Sequence, residues 1–148
     1  MNKLDTITAI QTRLGDAVLA VKRKSDQRIY IDISPDKLVD VSRLMLEQPG
    51  ARLQIATGMD TSNGFEVMYH WALDADGIVI TLRVLVDHDS PELESIAPIY
   101  PAAEWIEREM WELLGITFKG HPDLRHLLLA DDWPEGNYPM RRNHEVTK

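Results

Sequence analysis

The sequence predicts an α+β fold: a single domain with a mixed, mainly antiparallel sheet, helices packed on it, and an irregular C-terminal tail. Three observations lead there. Arg28–Ile33 and residues 65–73 alternate apolar and polar side chains at the strand period, and Ile78–Val86 is apolar almost throughout. Three other stretches repeat apolar residues at helical spacing. After Gly120 that regularity stops, and Gly, Pro and Trp punctuate the chain. A length of 148 residues suits one domain with a real core. We therefore read residues 1–119 as the α+β domain and 120–148 as an extended tail that wraps a partner.

Each element has a local reason. Leu4, Ile7, Ile10 and Leu14 fall on one helical face over residues 3–14, and Gly15 supplies a stop. Residues 17–23 (AVLAVKR) read as a short strand and 24–27 as a polar turn. In RIYIDI, Ile29, Ile31 and Ile33 share one face. Ser34-Pro35-Asp36 reads as a helix start, with Ser34 as N-cap, Pro35 in the first position and Asp36 near the positive dipole end. Leu38, Val41, Leu44, Met45 and Gln48 line that helix's inner side until Pro49-Gly50 ends it.

Residues 52–57 form the next strand, and 59–64 a turn with Asn63-Gly64 as its hairpin signal. Phe65, Val67, Tyr69, Trp71 and Leu73 alternate with Glu66, Met68, His70 and Ala72. The near-continuous apolar run at 78–86 predicts the centre of the sheet, and the last three strands form an antiparallel meander. Residues 87–100 read as a loop. A helix over 102–114 and a brief apolar step at 116–118 lead into the tail.

Composition narrows the function. The chain has no cysteine, which excludes disulfides and thiolate-held iron–sulfur clusters of its own. A net charge of −8 argues against general nucleic-acid binding. Residues 61–100 hold one basic side chain against seven acidic ones, which suits solvated turns or a basic partner surface. The N-terminus lacks the apolar core of a signal peptide, and no apolar run is long enough to span a membrane. The expectation is a soluble, cytoplasmic chain that reaches a membrane only through partners.

The helix at 102–114 holds two anomalies. At 100° per residue, Ala102, Trp105, Ile106, Met110 and Leu113 form an apolar arc, with Glu104, Glu107, Arg108 and Glu112 outside it or at its edge. Glu109 falls inside the arc, where a carboxylate needs a partner: Arg125, Arg141 or Arg142 of the tail, or a neighbouring subunit. Trp111 falls among the charges, exposed as interface tryptophans are unless the tail folds back over it.

His121, His126 and Asp132 are the nearest thing to a metal set, but a separation of five places the two histidines on different helical sides, and Pro122 opposes a helix. No phosphate-cradling Gly loop or nucleophile elbow is present. A free-standing metal-dependent hydrolase built on that region is the reading of another class.

Residues 107–142 resemble the signature of the complex I C-subunit family, the smaller hydrophilic subunit of NADH–quinone oxidoreductases (NADH dehydrogenases). The matching residues are Glu107-Arg108-Glu109, Trp111-Glu112-Leu113-Leu114-Gly115-Ile116, Phe118, Gly120-His121-Pro122-Asp123-Leu124-Arg125, Asp132-Trp133-Pro134-Glu135-Gly136 and Tyr138-Pro139-Met140-Arg141-Arg142. The family also includes the equivalent subunit of energy-converting, membrane-bound nickel–iron hydrogenases. The close DDWPEGNYPMRR, and the little chain before the first strand or after Arg142, resemble that version. Glu112 and Arg142 stand where many relatives have Asp and Lys, which keeps the charge.

The resemblance implies a non-catalytic accessory subunit with no cofactor. It would dock beside the large catalytic subunit and neighbouring iron–sulfur subunits on the cytoplasmic face of the membrane. The chain's own anchors would be Glu107, Glu109, Trp111, His121, Asp123, Arg125, Trp133, Tyr138, Arg141 and Arg142. The hydrophilic C subunit of an NADH–quinone oxidoreductase is the alternative, and an isolated chain can pair with a second copy through the same tail. On this reading Trp133→Ala and Arg141→Ala leave the domain folded and weaken assembly.

Overall fold

A computed structural model describes residues 2–145. Helix α1 (Lys3–Leu14) begins at Asn2, whose side chain accepts the N–H groups of Leu4 and Asp5 while Asp5 accepts the Asn2 N–H in return. Strands β1 (Val18–Ser25) and β2 (Arg28–Ile33) pair antiparallel. The first strand runs two residues past its expected end, because the ladder continues until Ser25 faces Arg28.

The helix expected from Ser34 opens instead as a 3-10 turn, Pro35–Lys37, and α2 covers Leu38–Leu46. Pro35 takes the expected first position, but the Ser34 hydroxyl bonds the Asp36 carboxylate rather than a helix amide. Leu38, Val41 and Met45 are fully buried, whereas Leu44 and Gln48 are half-covered at the rim.

Strands β3 (Ala51–Thr61), β4 (Gly64–Leu73) and β5 (Ile78–Val86) form the meander. The expected turn at 59–64 shrinks to Ser62 and Asn63. Met59 and Asp60 stay in the ladder opposite Glu66 and Phe65. The sheet order is β1-β2-β5-β4-β3, with β5 in the middle as its apolar run predicts, and β2–β5 is its one parallel pairing.

One sheet face carries the core. Ile29, Ile31 and Ile33, the odd-numbered residues of β4 from Phe65 to Leu73, and alternate residues of β5 meet Ile7, Ile10 and Leu14 of α1 and Leu38, Val41 and Met45 of α2 in one cluster. At about 25 cal/mol per Å² of apolar area, this burial is the main force holding the two layers together. The opposite face is stitched by polar pairs. His70 bridges Thr57 (3.0 Å) and Thr81 (2.9 Å), and Arg83 grips Asp32 through two hydrogen bonds of 2.6 and 2.7 Å. Burial lowers the His70 pKa, so a neutral ring makes those two bonds.

The segment expected to be a plain loop at 87–100 contains a further strand, β6 (Glu92–Glu94). It pairs in parallel with β7 (Thr117–Lys119), the expected apolar step. Between them a 3-10 turn, Pro101–Ala103, leads into helix α3 (Glu104–Leu114), which Gly115 ends in the left-handed conformation at φ +78°. The β6–β7 clasp closes the chain around α3, and α3 positions everything that follows.

Candidate subunit interface

Helix α3 does not bury the arc that its hydrophobicity predicts. Ala103, Glu107, Met110 and Leu114 face the core, roughly a quarter turn from the expected stripe at 100° per residue. Trp105, expected inside, is 69% exposed. The reason is a set of donors waiting for Glu107. Its carboxylate accepts the Tyr69 hydroxyl at 3.1 Å, the Ile96 N–H at 2.9 Å and the Ser95 hydroxyl. Burial dominates and raises the Glu107 pKa; the three hydrogen bonds only temper it. The Tyr69 phenol is likewise driven well up by burial and by the carboxylate beside it.

The next helical side, carrying Arg108 and Glu112, is covered by the tail. Glu112 accepts the consecutive N–H groups of Leu127, Leu128 and Leu129 at 3.0, 2.7 and 3.2 Å, and His126 Nδ1 lies 3.1 Å away. Burial is the largest single influence on this carboxyl and pushes its pKa up. The hydrogen bonds together outweigh burial and hold it below the usual glutamate value. Arg108 donates to the carbonyls of Arg125 and His126. One helical turn thus grips the tail backbone through both an acceptor and a donor.

The remaining tail residues lock in sequence. His121 donates from Nε2 to the Glu104 carbonyl (2.9 Å) and accepts the Asp123 N–H at Nδ1 (3.0 Å), which uses both ring nitrogens. Asp123 and Arg125 pair with each other in the open, at 2.7 Å. Trp133 donates to the Asn137 carbonyl at 2.7 Å. Trp111 is half-buried with its ring 5.3 Å from that of His126, in a hollow of about 380 Å³ shared with Trp133 and Tyr138. Of the two expectations for Trp111, interface exposure or cover by the tail, the tail lies over it.

Arg141 donates to the Leu114 carbonyl at 2.6 Å and lies over Tyr138 (4.4 Å) and Phe65 (5.2 Å). The Arg142 N–H reaches Asp60, which also pairs with His88 at 2.7 Å. The expected ion pair between Glu109 and a tail arginine does not form. Arg125 turns to Asp123, Arg141 to Leu114, and Glu109 has no ion-pair partner among the described residues.

Of the sequence-predicted anchors, Glu107 thus serves the core. His121, Trp133, Tyr138 and Arg141 hold the tail to its own chain, and Glu109 stays on the outward side. The sequence reading missed Arg108 and Glu112 as the central clamps, since the hydrophobicity wheel places both outside the apolar arc or at its edge. The hydrolase alternative finds no support in this geometry. Both nitrogens of His121 are committed, His126 leans on Glu112, and no metal-binding cluster occurs among the described residues.

Comparison with known proteins fits this scaffold. The family model described as the respiratory-chain NADH dehydrogenase, 30 Kd subunit, matches residues 31–148. Hydrogenase-4 component G of Escherichia coli (strain K12) is 36% identical over 142 residues, 93% of this chain but 25% of that protein. The chain therefore spans about a quarter of that relative's length. The C subunit of the NADH-quinone oxidoreductase of Roseiflexus sp. (strain RS-1) is 33% identical over 150 residues, covering 95% of this chain and 84% of that one. A chain in the structure of the membrane-bound sulfane sulfur reductase, an archaeal respiratory membrane complex, superposes with a TM-score of 0.85. It covers 97% of this chain and 85% of the other at 24% identity, a likeness of fold.

Proposed function

The chain belongs to the respiratory-chain NADH dehydrogenase 30 Kd subunit family, and from that premise we propose that it is a non-catalytic hydrophilic subunit of a complex-I-like, energy-converting nickel–iron hydrogenase. It docks beside the large catalytic subunit and the neighbouring iron–sulfur subunits, on the cytoplasmic face of the membrane. One observation carries this reading. The same domain matches most of a separate C subunit and about a quarter of a longer hydrogenase component. A domain found both free and joined to a larger polypeptide is one that packs against the remainder when free.

The chemistry of the chain agrees. Its most specific residues are spent on fixing a tail to a helix, not on a reactive cluster. It has no cysteine with which to hold a cluster of its own. No described helix is long and apolar enough to cross a membrane, which supports peripheral attachment through partners.

The hydrogenase branch is favoured by the higher identity over a like share of the chain. The second reading, the C subunit of an NADH–quinone oxidoreductase, is favoured by the near full-length match to a separate chain. A tagged chain recovered from native membranes, with mass spectrometry of what co-purifies, tests both. A nickel–iron large subunit with ferredoxin-like and antiporter-like companions is the expected result. Flavin- and NADH-binding companions would move the chain to the second reading. Recovery of the chain alone would overturn the proposal.

A further inference from the structure

The outward side of α3 and the free edge of β3 enclose a groove that the core leaves open and the tail only rims, through Leu127 and Met140. Strand β3 ends the sheet and pairs only with β4. Beside it lie two adjoining hollows, of about 200 and 300 Å³. One is lined by Ile55, Ala56, Thr57 and Gly58 and the other by Leu53, Gln54 and Ile55, with Ile106 and Glu109 of α3 common to both. The two adjoin along Ile55, Ile106 and Glu109 and together form the groove.

The wall on the β3 side runs through six consecutive residues. The ladder register shifts between Leu53 and Ile55; past that shift successive strand side chains point to opposite faces, so the consecutive wall at residues 55–58 is formed by the backbone edge rather than by one face. Among the described residues, no backbone hydrogen bond outside the β3–β4 ladder reaches residues 53–58. Beyond the irregularity at residues 53–55, an unpaired edge of this kind is one to which another strand can add. The opposite wall is apolar: Ile106 and Leu113 line it, and Trp105 stands at the rim with Ile55, exposed by 69% and 54%.

Glu109 lies where the two hollows meet. Its neighbours in the Glu107-Arg108-Glu109 run are both committed inside the chain, Glu107 to Tyr69 and Ser95, Arg108 to the tail carbonyls. Glu109 has no ion-pair partner among the described residues. A partner that covered it without supplying a cation would bury an unpaired charge, which is strongly unfavourable.

We propose that this groove receives an extended segment of the large partner polypeptide, which adds a strand to the β3 edge and places one arginine or lysine against Glu109. The inference rests on the reading of the chain as a subunit. The extended form follows from the backbone wall, the apolar character from Trp105, Ile106 and Leu113, and the cation from Glu109. A second copy of this chain is a poor occupant. Two-fold pairing of β3 edges would bring a second Glu109 into the same groove between chains that each carry a net charge of −8.

Hydrogen exchange of the wild-type chain, alone and within the complex purified from membranes, tests the inference. The outward-pointing amides among residues 53–58 exchange freely in the isolated chain and should slow at least tenfold in the complex. An intact complex with unchanged exchange there would overturn the groove and leave the subunit reading standing. A wild-type chain that holds no partner would overturn both. Slowing in the isolated chain that grows with its concentration would assign the groove to a second copy and overturn the proposal.

Glu109→Lys, in a chain whose melting temperature matches wild type, should lower retention of the partner at least tenfold. Asp16→Lys, the same charge change at an exposed acid on the turn after α1, should not. Wild-type retention by Glu109→Lys would overturn the assigned cation.

Discussion

Glu107 and Glu112 lie five residues apart on one helix, both buried, and their environments push them in opposite directions. The Glu112 carboxyl sits below its ordinary value of 4.5, because three amides and His126 outweigh the burial that would raise it. Its stabilising contribution is present above pH 4.5 and lost as pH falls through the folded value. The Glu107 carboxyl sits above 4.5, mainly because of burial. Its contribution is complete below pH 4.5 and lost as pH rises through the folded value. In the wild type the first contribution is lost below pH 4.5 and the second above it, so together they favour a stability optimum between the two folded values. Glu112→Gln should cost about 1–3 kcal/mol at neutral pH, since amides then face a side chain with one acceptor fewer. It should also shift the stability optimum to lower pH. Glu107→Gln should shift that optimum the other way. Urea unfolding followed from well below to well above pH 4.5 reads both, and parallel profiles for the two variants would show that these carboxyls do not set the pH dependence. Gly115 is a third residue whose role is geometric. At φ +78° a Cβ would lie 2.5 Å from Arg141 Nη2 and 2.6 Å from Tyr138 Cε2. Gly115→Ala should therefore strain the helix end and displace the tail anchor together, lowering stability by about 1–3 kcal/mol in thermal unfolding.

At the scale of elements, α3 and the tail behave as one unit, and this changes what a tail substitution reports. Arg141 bonds the last turn of α3 and lies over Tyr138 and Phe65, the latter a fully buried core residue. Arg141→Ala should remove about 1–3 kcal/mol from the isolated chain before any partner is involved. Trp133 donates its hydrogen bond to Asn137, four residues away, so Trp133→Ala should cost less. Melting curves of the two variants without partners separate these outcomes, and equal losses would mean that the tail unfolds as a block. The limits of α3 were legible, because Pro101 opens its first turn and Gly115 stops it. Its buried face was not, because the wheel weighs side-chain hydrophobicity while Glu107 and Glu112 are held inside by hydrogen bonds from distant segments and Arg108 by hydrogen bonds it donates to one. The strands were legible where alternation was strong, as in β2 and β4, or where the apolar run was continuous, as in β5. Strand β6 was not, because three residues carry no period and their partner β7 lies beyond a whole helix. The Ser62–Asn63 turn was misjudged by length, since Met59 and Asp60 look like turn residues until they are seen paired with Glu66 and Phe65.

For the whole molecule, the question is whether residues 1–119 are a domain that merely carries a tail. The sequence suggests so, because regular periodicity ends at Gly120. The described structure gives the tail a second role, since it supplies groups that the domain needs in order to bury its own charges. Glu112 takes three amides from residues 127–129, Arg108 takes two carbonyls from Arg125 and His126, and Leu114 accepts Arg141. Removing residues 120–148 would leave a carboxylate and a guanidinium on the flank of α3 without those partners and would uncover Trp111. Breaking one buried, hydrogen-bonded charge typically costs about 3–5 kcal/mol when its partner is removed, reduced here by the water that would enter. Because the tail is itself the cover, water reaches both groups when it is removed, and each loss falls toward that of the missing hydrogen bonds, about 1–3 kcal/mol, against a domain stability of about 5–15 kcal/mol. A chain ending at Lys119 should therefore melt below the full chain, and the double variant Arg108→Met, Glu112→Gln should recover part of that stability in the shortened chain by deleting the two groups that lost their partners. Denaturant unfolding of the three chains decides it. A shortened chain as stable as the full one would make the tail a pure partner-binding strap. A rescue by the double variant would identify the tail as the cover over the chain's own charged helix face, which leaves the β3–α3 groove free for docking.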